Sequence, residues 1–166
     1  GNAKYCRALT YLRLYDLFEE VPLVDENYDN KAIAPSTKEE VLNFIVEDLK
    51  YAKENCEPLN TSDMNNAQTL PSSEAATALL ARVYRLQGNI NAAATEAEEL
   101  ITSGKFRLAE NPLERTNEVI MRFAGNKSEA NGSWGWIMSP AARSWNCFAA
   151  APDLVDLLDE DDTRRI

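Results

Sequence analysis

The chain has 166 residues, enough for one domain with a real core. Its 45% hydrophobic and 27% charged residues are those of an ordinary soluble globular protein, and no apolar run approaches the ~18–20 residues of a membrane span. A net charge of −10 argues against nucleic acid, which needs a clustered positive surface, and the lack of any histidine removes the commonest general base and metal ligand.

Gly1 stands already inside a helix-like pattern, with no methionine, basic leader or apolar signal region before it, so the chain reads as part of something longer. The first segment, "AKYCRALTYLRLYDLF", places Tyr5, Leu9, Leu12, Tyr15 and Phe18 near helical spacing, and Pro22 ends it. The loop "VPLVDENYDNKAIAPS" follows, kept irregular by its prolines, asparagines and aspartates.

A second helix is predicted over "STKEEVLNFIVEDLKYAKENC". Ser36 or Thr37 as cap with Glu39 or Glu40 three residues on makes a capping box, and Val41, Phe44, Ile45, Leu49 and Ala52 line one face. The polar stretch "PLNTSDMNNAQTLP" reads as a long flexible loop. Ser72 and Ser73 open a third helix, which Gly88 closes. A fourth runs from about Ile90 to Ser103 and is closed by Gly104.

After Phe106 the pattern changes. "NEVIMRFA" (117–124) alternates Val119, Met121 and Phe123, which suggests a strand or an extended segment. "GNKSEANGSWGWIMSP" is a glycine-rich loop with two tryptophans, and Pro152 suits the first turn of a closing helix. The expected fold is mainly α, with tetratricopeptide-like helical hairpins, a loop-rich segment and one or two short strands. The expected organisation is a helical repeat region over 1–106, a loop and strand segment over 107–151 and a terminal helix over 152–166.

Leu80, Ala81, Tyr84, Gly88 and Ala93 fall at tetratricopeptide spacing, whereas Thr77 and Ala97 stand where that pattern uses aromatics. A more specific resemblance lies in five ordered stretches. "AKYCRALTYLRLYDLFEEVPLV" resembles the helix of SusD/RagB-type outer-membrane lipoproteins that ends in Leu-Phe-Gly-Asp-Val-Pro-Leu. "STKEEVLNFIVEDLKYAKENC", "SSEAATALLARVYRLQGNINAAATEAEELITSGKFRL", "NEVIMRF" and "APDLVDLLDEDDTRRI" resemble that family's following segments in its order. Glu19 and Glu20 replace the family's Gly-Asp, so a different turn is expected there.

The resemblance implies a non-catalytic protein that binds an oligosaccharide and hands it to a TonB-dependent outer-membrane transporter. It also implies residence on the outer surface of the outer membrane, through a lipid anchor not present in this chain. The helical hairpins would then form the rigid half that faces the transporter.

Sugar recognition needs aromatic faces against C–H surfaces and polar side chains for hydroxyls. Trp134 and Trp136, which flank Gly135, form one candidate set; Trp145, Asn146 and Arg143 form another. Tyr28, with Asn27 and Asn30, offers a third in the first long loop. Tryptophans in a small domain are ordinarily core, and Tyr5, Tyr11 and Tyr15 are expected to pack within the helices.

No cofactor, metal site or catalytic set is expected: there is no nucleophile with a base and no phosphate-binding glycine loop. The acidic run Asp159–Asp162 reads as a solvated helix end, since it lacks the glycine and spacing of a calcium loop. Cys6, Cys56 and Cys147 form no ligand spacing and read as small hydrophobes, with a Cys6–Cys56 bridge as the alternative. A rival function is a tetratricopeptide-type protein-interaction scaffold.

Overall fold

A computed structural model describes residues 1–29, 31–109 and 117–123. The chain divides into two compact units, Gly1–Phe123 and Ala124–Ile166, and all described residues lie in the first. The tryptophans, Cys147 and the expected terminal helix therefore lie outside the described residues, as does Asn30.

Four long helices build the first unit: α1 (Asn2–Phe18), α2 (Lys38–Asn55), α4 (Ser73–Leu86) and α5 (Ile90–Thr102), with a single-turn α3 (Met64–Ala67) before α4. The starts of α2, α4 and α5 are set by side-chain caps. Thr37 Oγ1 accepts from Glu40 N–H at 3.3 Å while Glu40 Oε2 accepts from Thr37 N–H at 2.8 Å, which completes the expected capping box. Ser72 Oγ accepts from Ala75 N–H (3.1 Å) at α4, and Asn89 Oδ1 from Ala92 N–H (3.3 Å) at α5. Gly88 (φ 78°) and Gly104 (φ 66°) occupy left-handed positions just beyond α4 and α5.

α1 and α2 run antiparallel: the Gly1 backbone packs on Asn55 and Cys56, and Glu19 pairs with Lys38 at the far end. α4 returns antiparallel to α2, with Gln87 donating to Asn43 at 2.8 Å and Ser73 N–H to Glu57 C=O at 3.2 Å. Arg82 of α4 donates to Asp16 of α1 at 2.9 Å. The core lies among these three helices, where Leu12, Val41, Ile45, Leu49, Leu80 and Val83 are almost fully buried. Apolar burial of this kind stabilises each such side chain by about 1.5–3 kcal/mol.

α5 packs on α4 and buries no residue fully, so it is the most exposed of the four. Lys53 of α2 ties it in through Glu96 (2.8 Å) and Glu99 (2.6 Å).

Four expectations are revised. The α1 face is Tyr5, Ala8, Tyr11 and Leu12; Phe18, expected on it, is 63% exposed because the helix ends there and the chain turns away. The 58–71 stretch is not featureless: a 3-10 turn (Thr61–Asp63) runs into α3, with Asn60 Oδ1 capping Ser62 N–H at 3.0 Å. Residues 117–123 form turn and irregular backbone, not a strand. They are held instead by Gln68, whose Nε2 donates to Val119 C=O (2.6 Å) and whose C=O accepts from Arg122 N–H (2.8 Å). Ile120 and Met121 pack on the core together, which breaks the alternation, and Phe123 is exposed. The fourth concerns Cys6, expected as a small buried hydrophobe: it is exposed, whereas Cys56 is buried with its Sγ 3.4 Å from Asn2 Oδ1, and both are free thiols as the leading reading had it.

Candidate functional site

Asn27 and Tyr28 sit on the loop between α1 and α2, and that loop is moored at three points. Val21 is buried, and its C=O accepts from Ser36 N–H at 3.0 Å, closing the loop at its base. Next, Tyr11 Oη donates to Pro22 C=O (3.2 Å) and accepts from Val24 N–H (2.7 Å), so one buried phenol satisfies two loop backbone groups. Finally, Arg7 Nη1 donates to Glu26 Oε2 at 3.0 Å, and Lys4 lies 3.5 Å from the same oxygen.

Arg7 is itself fixed from below. Its Nε and Nη2 reach Asp48 Oδ2 (2.6 Å) and Oδ1 (2.7 Å), a two-pronged contact across the α1–α2 seam. Its guanidinium also lies 4.6 Å from the Phe44 ring centroid, and Phe44 meets Tyr11 edge-on at 5.1 Å and 75°. Lys4 adds a third contact to Asp48 at 3.2 Å. The Asp48 bond is the main reason the guanidinium holds its proton more tightly than usual. Glu26 is pulled down to about 2 by its own backbone amide and by Arg7, so it stays ionised.

Beyond these moorings the chain makes a short turn. Asp25 Oδ1 accepts from Asn27 N–H (2.9 Å), Asp25 Oδ2 from Asn27 Nδ2 (3.3 Å) and Asp25 C=O from Tyr28 N–H (3.3 Å). Tyr28, on this turn, is 40% exposed. Asp29 then pairs with Lys31 (2.5 Å), which lowers its pKa. Of the sequence candidates, the structure thus brings Asn27 and Tyr28 together. Trp134, Trp136, Arg143, Trp145 and Asn146 lie outside the described residues.

The mooring residues Arg7, Asp48 and Glu26 were missed in the sequence, although Asp48 carried a signal. It interrupts the apolar face of α2 between Ile45 and Leu49 and is 3% exposed, so a partner was required. Among the described residues no group of His, Cys, Asp and Glu could hold a metal ion, and no helix is long and apolar enough to cross a membrane.

Residues 1–85 match the SusD-like family described as starch-binding and associating with the outer membrane. The chain belongs to this SusD-like family. SusD-like protein P2 of Formosa agariphila is 36% identical over 107 residues, covering 62% of this chain and 20% of the relative. Among solved structures, a laminarin-binding SusD-like protein superposes with a TM-score of 0.57 at 26% identity, covering 66% of this chain and 25% of that one. A SusD superfamily protein of Bacteroides fragilis reaches a TM-score of 0.66 at 21% identity over 83% of this chain and 32% of that one, and shows the shared fold. The SusD-like chain thus spans 20% of the curated relative's length and 32% of the Bacteroides fragilis protein's. The mainly helical SusD-like fold expected from the sequence is the one observed.

Proposed function

We propose that this chain is part of a non-catalytic glycan-binding protein on the outer surface of the outer membrane. The observation that carries the reading is the match of residues 1–85 to a family described as starch-binding and outer-membrane-associated. In this reading a lipid anchor lies elsewhere in the full-length protein, and captured oligosaccharide passes to a TonB-dependent transporter.

The moored loop supports it chemically. Tyr28 offers an aromatic face for sugar C–H groups, and Asn27 and Asp25 offer amide and carboxylate groups for hydroxyls, all on a base that binding need not order. The proposed ligand set joins Asn27 and Tyr28 with Trp134, Trp136, Arg143, Trp145 and Asn146. The antiparallel helices supply a rigid scaffold, and the α4–α5 hairpin is the proposed transporter face.

Tryptophan fluorescence of the chain, titrated with starch- and laminarin-derived oligosaccharides, tests the reading. A saturable change with one glycan class is expected, weakened by Tyr28→Ala and by Trp145→Ala or Trp136→Ala, with no product after long incubation. No response to any glycan, together with co-purification of a peptide-bearing partner, would favour an interaction scaffold instead. Substitutions on the exposed face of α5 are expected to weaken transporter capture before glycan affinity; the reverse order would overturn the division of roles.

A further inference from the structure

A concave surface lined by none of the moored-loop residues lies where the start of α1 meets the 57–72 connection. It encloses about 340 Å³, at the lower end of the roughly 300–1,000 Å³ of small-molecule sites. Its lining is partly aliphatic, from Pro58, Leu70 and Pro71, and partly polar, from Asn2, Asn60, Asp63 and Asn66.

The polar lining is organised by contacts directed into the protein. Asn2 Oδ1 takes the Cys56 thiol, and Asn60 Oδ1 takes Ser62 N–H, so each Nδ2 keeps two N–H donors that these contacts leave unspent. Asn66 Nδ2 donates to Asp63 Oδ2 at 2.8 Å, which leaves Asn66 Oδ1 and Asp63 Oδ1 as acceptors. The walls are held as well: Leu59 is buried with its N–H on Glu74 Oε2 (2.7 Å), and Ser73 N–H bonds Glu57 C=O.

This donor and acceptor pattern selects a class of ligand. Among the described residues no lysine or arginine lines the pocket, while Glu57 and Asp63 add negative charge there, which disfavours a phosphate or carboxylate. A neutral polyhydroxyl ring fits both surfaces: each hydroxyl donates and accepts, and its C–H face covers Leu70 and Pro71. We propose that this pocket is a saccharide subsite separate from the moored loop, taking one neutral pyranose unit through Asn2, Asn60, Asp63 and Asn66. The proposal deepens the glycan-binding reading and rests on it.

Nitrogen-15 spectra of the full 166-residue chain, titrated with maltotriose and with laminaritriose, test it. Saturable shifts of the Asn2, Asn60 and Asn66 side-chain amides are expected with one of them. Asn60→Asp keeps the oxygen that caps Ser62 but removes the donor, so affinity should fall about 3- to 10-fold, the worth of one hydrogen bond. Asn2→Asp should do the same while keeping the Cys56 contact. Shifts confined to tryptophan indoles, or wild-type affinity in both variants, would overturn the pocket and leave the glycan reading intact. Silence of amides and indoles alike would overturn both.

Discussion

Arg7 grips Asp48 with two donors, Nε to Oδ2 at 2.6 Å and Nη2 to Oδ1 at 2.7 Å, across 41 residues of sequence. The same guanidinium reaches Glu26 with its remaining nitrogen. One side chain therefore joins α1, α2 and the candidate binding loop, and fold stability and loop position share a single pin.

Arg7→Ala should be costly because it leaves Asp48, 3% exposed, with Lys4 alone. A loss of about 2–4 kcal/mol is expected in urea unfolding. The double variant Arg7→Met with Asp48→Leu should recover most of it, since neither charge is then stranded. A double variant as unstable as the single one would show that the pair contributes more than mutual compensation.

Acid should release the loop from Arg7 only at low pH. Glu26 titrates in the folded chain at about 2, below its ordinary 4.5, so the stability it lends is present above 4.5 and is lost as pH falls toward 2. A carboxyl-carbon NMR titration should place its midpoint near 2, and Arg7→Ala should move that midpoint upward. An unmoved midpoint would remove Arg7 from the mooring.

Glu19 carries the one positive φ among the described non-glycine residues, at 61° with ψ −53°, directly after α1. The related family motif has glycine at this position, and a side chain there is strained. Glu19→Gly should raise stability by about 1 kcal/mol, with the exposed pair to Lys38 a minor loss. Thermal unfolding checks it: a lowered midpoint would mean that the Lys38 contact outweighs the strain.

Gln68 is the staple for residues 117–123. Gln68→Ala removes the side-chain bond to Val119 C=O but keeps the backbone bond from Arg122 N–H. The expected cost is about 1–2 kcal/mol, with faster hydrogen exchange at Arg122 N–H and unchanged exchange in α2. Equal acceleration throughout would mean that Gln68 supports the whole core and not this segment.

The features readable from the chain alone are local. The Thr37–Glu40 box, the Ser72 cap and the glycine after α4 were legible because each acts within a few residues, where the chain geometry is already known. The apolar face of α2 was legible by its period, and the ordered stretches within residues 1–85 carried the family.

The remaining features exist only in the folded chain. The Arg7–Asp48 pair, Gln68 on residues 117–123 and the pocket between Asn2 and residues 57–72 each join groups dozens of positions apart. Asp48 apart, their residue types are ordinary surface polar ones, which leave no period or spacing in the chain. They become a mooring, a staple and a cavity only where helix packing sets them face to face, and in the buried places burial leaves a polar group no partner but the one opposite.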